Sequence, residues 1–154
     1  MKMKKDAVIE GQYRYSLTRV WDDKLPKVMF IGLNPSTADA LEDDPTLRRC
    51  IHYAQDWGYG GLIMANLFAY RATRPKDMKK SDDPVGPKND QYLIEISNSV
   101  ALKIACWGND GNFKNRSTVV KKMINALHCL KLNRSGEPTH PLYLKKELKP
   151  INYT

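Results

Sequence analysis

Four strongly apolar runs punctuate the chain, at residues 28–33, 62–65, 100–106 and 127–132. The last begins at Leu127 or, read more narrowly, covers only 129–132. Continuous apolar runs of this length fit strands buried on both faces, as in a parallel sheet. Between them the spacing changes to that of helices. Leu47, Cys50, Ile51, Ala54 and Trp57 recur at three and four residues, which predicts a helix over about 46–57 with Asp44 as its N-cap and Pro45 in its first turn. A second helix is expected over about 88–97, presenting Tyr92, Leu93 and Ile96, and a third over 118–127. Near the start, Tyr13, Tyr15 and Leu17 alternate with Arg14, Ser16 and Thr18, the pattern of a half-exposed strand on a sheet edge. Residues 71–87, 109–115 and 134–138 are rich in proline, glycine, asparagine or charge and read as loops. Strands alternating with helices predict a three-layer α/β/α sandwich around a four-stranded parallel sheet, with right-handed crossovers.

Composition places this pattern in one domain spanning residues 1–154, with a basic tail over 145–154 that packs only in part. Apolar residues make up 42% and charged residues 27%, and no run is apolar enough to span a membrane. The basic N-terminus is not followed by the apolar stretch of a signal peptide, so a cytoplasmic protein is expected. Cys50, Cys106 and Cys129 are too far apart for a zinc or iron–sulfur motif and read as free buried thiols. No metal or other cofactor is called for. The net charge of +8 is concentrated in residues 114–149, where nine lysines and arginines face only Glu137 and Glu147. Such a surface suits a polyanion, or simply keeps the protein in solution.

Candidate chemistry sits where the strands end. In an open α/β sheet, ligands bind in the crevice at the carboxyl ends of the strands. Gly32-Leu33-Asn34-Pro35-Ser36 ends the first apolar run, Asn66-Leu67-Phe68 the second and Trp107-Gly108 the third, and His140-Pro141 follows the fourth after a short loop. Glycine permits close backbone approach, and Pro35 holds Asn34 extended, so that its amide is presented to a substrate or a water. A plain strand-ending turn gives the same residues. Asn66 either reads the edge of a base or caps a loop, and His140 is either an acid, base or electrostatic stabiliser or a structural ring. His52 and His128 read as structural. Asp43, Asp44, Asp82 and Asp83 precede prolines and read as turn and cap residues.

Taken in order, these pieces resemble the uracil-DNA glycosylase superfamily over about residues 27–144. Its Gly-x-Asp/Asn-Pro motif is matched by Gly32, Asn34 and Pro35, its base-recognising asparagine by Asn66, its Trp-Gly by Trp107 and Gly108, and its His-Pro by His140 and Pro141. A closer resemblance is to a bacterial and phage family of unknown function, carried by residues 30–40, 44–49, 57–71, 83–89 and 140–144. The glycosylase resemblance implies an N-glycosidic bond cleaved after the base is flipped from its stack. Asn34 and His140 would be catalytic. Gly32, Pro35, Ser36, Asn66, Trp107 and Gly108 would line the pocket, with Phe68 or Tyr143 stacking on the base. The implied partners are nucleic acid, DNA in preference to RNA, or a nucleoside or nucleotide, met by a monomer away from membranes.

Three features separate the chain from active glycosylases. No aromatic residue lies between Phe30 and Tyr53, Leu142-Tyr143 replaces the usual Ser-Pro, and Glu42-Asp43-Asp44 brings acid near the expected mouth. They define the alternative: a nucleic-acid- or nucleotide-binding module that keeps the fold without the chemistry.

Overall fold

The computed structural model describes residues 2–154. A hairpin opens the chain, with β1 over Lys4–Glu10 and β2 over Tyr13–Val20, turning at Gly11 with φ +61°. β3 (Lys27–Gly32) and β4 (Gly61–Asn66) flank the helix α1 (Pro45–Asp56). Helices α2 (Pro75–Lys79) and α3 (Asn89–Ser97) precede β5 (Leu102–Ala105). Then come α4 (Arg116–Met123), β6 (His128–Cys129) and β7 (Ile151–Asn152). Among the described residues, no helix is long and apolar enough to cross a membrane.

All seven strands form one mixed sheet in the order β1-β2-β4-β3-β5-β6-β7. β3 pairs parallel with β4 and β5, and β5 with β6, while the β1–β2, β2–β4 and β6–β7 pairs are antiparallel. The sheet is therefore larger than the four parallel strands expected from the apolar runs. The added strands lie towards its margins: β1 and β7 are mostly exposed and need no long apolar run, while β2 is buried but carries polar residues among its apolar ones.

The central strands separate two cores. Val28 and Phe30 join Leu62, Met64 and Ile104 in a cluster with Leu47, Cys50, Ile51, Tyr53 and Ala54 of α1. Met29, Ile31 and Ala65 face the other way, onto Met78 of α2, Leu93 and Ile96 of α3 and Val120 of α4. Alternate residues of β3 are thus buried on both sides, which is why its run is apolar throughout. α1 begins as expected: Asp44 accepts the Leu47 N–H at 2.8 Å, and Pro45 occupies the first turn. The three cysteines are free and buried.

Several expectations are corrected. β2 is not an edge strand, because the charged β1 covers it, and Arg14 and Ser16 are buried along with Tyr15 and Leu17. Lysines on β1 suit an exposed edge, since they discourage further pairing. The expected loop 71–87 contains α2, started by Pro75 and anchored by buried Met78. Residues 109–115 form a 3-10 turn broken at Phe113 and Lys114, and α4 begins at Arg116, earlier than its apolar spacing suggested. The last strand shrinks to His128–Cys129, since the chain beyond it folds back on itself: Thr139 donates to the Lys131 carbonyl and Asn133 to that of Glu137.

The basic tail packs in part, through its backbone and a few apolar residues. Arg49 and Tyr53 on α1, and Trp57 at its C-cap, donate to the carbonyls of Leu144, Lys145 and Leu148 at 3.0, 2.5 and 3.0 Å. Leu144 and Leu148 pack on the α1 core, and Ile151 then pairs with Cys129. Deleting residues 145–154 should cost at least about 3 kcal/mol, since it removes part-buried Leu148 and Tyr153, two side-chain bonds to α1 and its C-cap, and the pairing of β7 with β6. Thermal denaturation checks this. An unchanged midpoint would mean that the tail contributes nothing to the fold.

Candidate ligand cleft at the strand ends

A cleft of about 600 Å³ opens where β3, β4 and β5 end. That volume is ordinary for a small-molecule site. Asn34 follows β3, Asn66 closes β4, Gly108 follows β5, and His140 comes from the loop after β6; all four line the cleft. So do Gly32, Pro35, Ser36, Trp107 and Tyr143.

The floor depends on Gly32. A Cβ there would stand 2.9 Å from Asn66 Oδ1, so any other residue would push the Asn66 amide from its place. Asn66 is 4% exposed, and its Nδ2 has no acceptor within the protein. Its backbone is held from behind, as Asn89 donates to the carbonyls of Asn66 and Leu67, and Arg116 Nε donates to the latter at 2.8 Å. The unpaired amide is thus positioned firmly, and a buried donor without a partner is costly unless a ligand completes it. Asn34 is arranged in the opposite sense. Its Nδ2 is spent on the carbonyls of Pro35 and Ala72, at 3.2 and 2.9 Å, which leaves Oδ1 as the free group. Asn34 therefore offers the cleft an acceptor, not the amide donor.

His140 is carried by a clamped loop. Gly108 N–H, on a residue with φ +77°, donates to the Pro138 carbonyl at 2.8 Å. Buried Glu137 accepts from Trp107 Nε1 and Ser117 Oγ at 3.0 and 2.9 Å. Leu142 N–H donates to His140 Nδ1 at 3.3 Å, which places the proton of the neutral ring on Nε2. Burial pushes the His140 pKa below its ordinary 6.5, against a smaller opposing pull from Asp44. The ring is thus a neutral donor at physiological pH.

Sequence reasoning missed Arg14. It lines the cleft, is 4% exposed, and donates from Nη1 to the Ala38 carbonyl at 2.9 Å. Its Nε is buried without a partner, and among the described residues it forms no ion pair. Desolvation pushes its pKa down to about 10, so it keeps its charge. The signal was an arginine inside a strand that otherwise alternates, and it becomes legible only with the register. Val8 pairs with Ser16 but Ile9 with Arg14, so Tyr15 is the extra residue of a bulge. Beyond a bulge the faces exchange. Tyr15 stacks on Tyr92 of α3, whereas Arg14 joins Leu17 at the cleft.

The remaining candidates fall into place less uniformly. Phe68 does not reach the cleft: it is fully buried against Phe113, so it cannot stack on a ligand. Trp107 is 1% exposed and spends its indole on Glu137. Tyr143 is 83% exposed at the rim, its ring 5.7 Å from that of His140. The acid of 42–44 is largely committed: Asp43 pairs with fully buried Arg19 at 2.9 Å, and Asp44 caps α1. Arg116 is buried on Asp90 and Leu67 and leaves the expected basic surface. His52 is exposed on α1 and His128 lies in β6, both away from the cleft.

No curated protein and no solved structure matches the chain. A family model does, over residues 14–142, a span that runs from the buried arginine of β2 past the histidine of the last loop. The chain belongs to the family described as "Protein of unknown function (DUF1643)".

Proposed function

We propose that the cleft holds one nucleoside unit, free or within a nucleic acid, and hydrolyses its N-glycosidic bond. One observation carries this reading: three polar side chains from separate strand ends meet in one cleft, one with a free acceptor and two with free donors. Asn34 has an acceptor, Asn66 a donor, and His140 a donor on Nε2. A water accepted by Asn34 Oδ1 is aimed at the anomeric carbon. The C–N bond breaks with its electron pair leaving on the base nitrogen, and His140 Nε2–H stabilises that charge. Asn66 holds an acceptor on the base. The base nitrogen then takes the proton that the water gives up. The order of strand-end motifs, and the run of mutually parallel strands β4, β3, β5 and β6, support kinship with the uracil-DNA glycosylases.

A second reading keeps the binding and omits the chemistry. The position of Phe68 favours it, because burial removes one of the two rings able to stack on a base and leaves exposed Tyr143. An alkaline-cleavage assay on oligonucleotides with one modified base each, run beside free nucleosides, separates the two. Base release from any member supports hydrolysis. Binding without release throughout the panel supports the module.

With an active substrate, His140→Ala and Asn34→Ala should each slow base release by about 10²–10³-fold with folding intact. Asn66→Ala should erode discrimination between bases more than turnover of the best one. A loss below threefold at both Asn34 and His140 would remove them from the chemistry.

The His140 ring should titrate below 6.5 when followed by NMR. Since the unfolded ring binds its proton at a higher pH than the native one, its contribution to stability is complete above 6.5 and declines as pH falls through the lower native value. His140→Gln should flatten that part of the stability profile. A midpoint at or above 6.5 would contradict the buried, neutral ring.

A further inference from the structure

Among the described residues, three buried side-chain atoms lack a partner, and two of them, Arg14 Nε and Asn66 Nδ2, belong to residues lining the same cleft. Both are donors. They come from neighbouring strands: β2 and β4 pair antiparallel with Leu17 opposite Met64, so Asn66, two residues further on, ends beside the bulge that turns Arg14 inward. In the sheet order, β2 and β4 lie on one side of β3, and β5 and β6 on the other. Arg14 and Asn66 thus face one end of the cleft and His140 the other. A cationic fork and an amide donor, side by side and dehydrated, demand a group that carries only acceptors there.

Among base edges this requirement is selective. The O6/N7 edge of guanine presents two adjacent acceptors, whereas adenine offers an acceptor and an amine, cytosine an amine, and thymine one acceptor beside a methyl group. Resting on the reading that the cleft takes a nucleoside unit, we propose that Arg14 and Asn66 select a 6-oxopurine by donating to its O6/N7 edge. Besides ligand contact, the bulge lets Arg14 hold the Ala38 carbonyl, but that bond uses one nitrogen of three. The remaining Nε and Nη2 form a fork that matches the two acceptors. Asp44 and Asp39 lie near enough to moderate the charge of Arg14, but each already accepts backbone N–H groups, Asp44 from Leu47 and Asp39 from Leu41 and Glu42.

Inosine and adenosine are the decisive probes, because exchanging O6 for an amine leaves the purine ring frame unchanged. By calorimetry on the full chain, inosine and guanosine should bind at least tenfold more tightly than adenosine, and 7-deazaguanosine at least tenfold more weakly than guanosine. Arg14→Lys, which keeps the charge without the fork, and Arg14→Met should both narrow the inosine–adenosine gap to below threefold. The wild-type comparisons stand even if either variant fails to fold. Equal binding of inosine and adenosine, tighter binding of uridine than of both, or no binding of any of these probes overturns the proposal. Its fate is separable from that of the hydrolysis reading. Oxopurine-selective binding without base release sinks only the hydrolysis, and base release without oxopurine preference sinks only the selectivity.

Discussion

The carbonyl oxygens of Ala38 and Asp39 are bound by two guanidinium groups that rise from one strand. Arg14 takes the first, and Arg19 takes the second at 2.7 Å while also pairing with Asp43. Both arginines are buried, so these bonds form in a medium where water competes poorly and a charged donor is strongly directional. They hold the segment between β3 and α1 over the strand ends and turn a sheet rim into a walled cleft. Without them, residues 34–44 would be a long polar loop with few apolar anchors, Ala38 being the buried one among 36–44. Asp44 then starts α1 at the end of that segment, so the wall and the helix share one fixed point.

The opposite wall is built on the same principle with the signs reversed. There the buried charge is Glu137, and the donors that satisfy it, Trp107 Nε1 and Ser117 Oγ, come from the end of β5 and from α4. The loop bearing His140 is tied to the sheet by a carboxylate, as the loop after β3 is tied by guanidinium groups. Placing the fixed charges in the walls leaves the working groups between them formally neutral: Asn34, Asn66 and an imidazole that burial keeps uncharged. Arg14 is the exception, a wall residue with two nitrogens left over.

Residues behind the cleft matter as much as those within it. Asn89 and Arg116, neither of them lining it, bind the backbone carbonyls at the end of β4 and so fix the direction of Asn66. Gly32 acts by lacking a side chain. Each is a residue whose effect on the site passes through another, and each lies on a regular element, which holds position more closely than a loop does.

Much of this was legible in the chain. The apolar runs marked β3, β4 and β5, Asp44-Pro45 marked the start of α1, and a polar residue after each strand marked the rim, because a strand buried on both faces must be apolar and must end where polar groups begin. What the sequence could not determine was which side of a strand a residue faces once the pairing is irregular. The bulge at Tyr15 depends on β1 lying against β2, and it alone puts Arg14 in the cleft instead of on the face where alternation would leave it. Burial was equally a matter of tertiary contact: Phe68 and Arg116 look like a stacking ring and a surface cation, yet Phe113 closes over the first and Asp90 and Leu67 receive the second. The basic tail also hid its anchors, since Leu144 and Leu148 gain meaning only against α1. Local pattern determined the strands and where they stop, because backbone pairing and burial act on every residue of a run. Tertiary structure decided which donors are left unpaired, because that depends on what the rest of the chain does not supply.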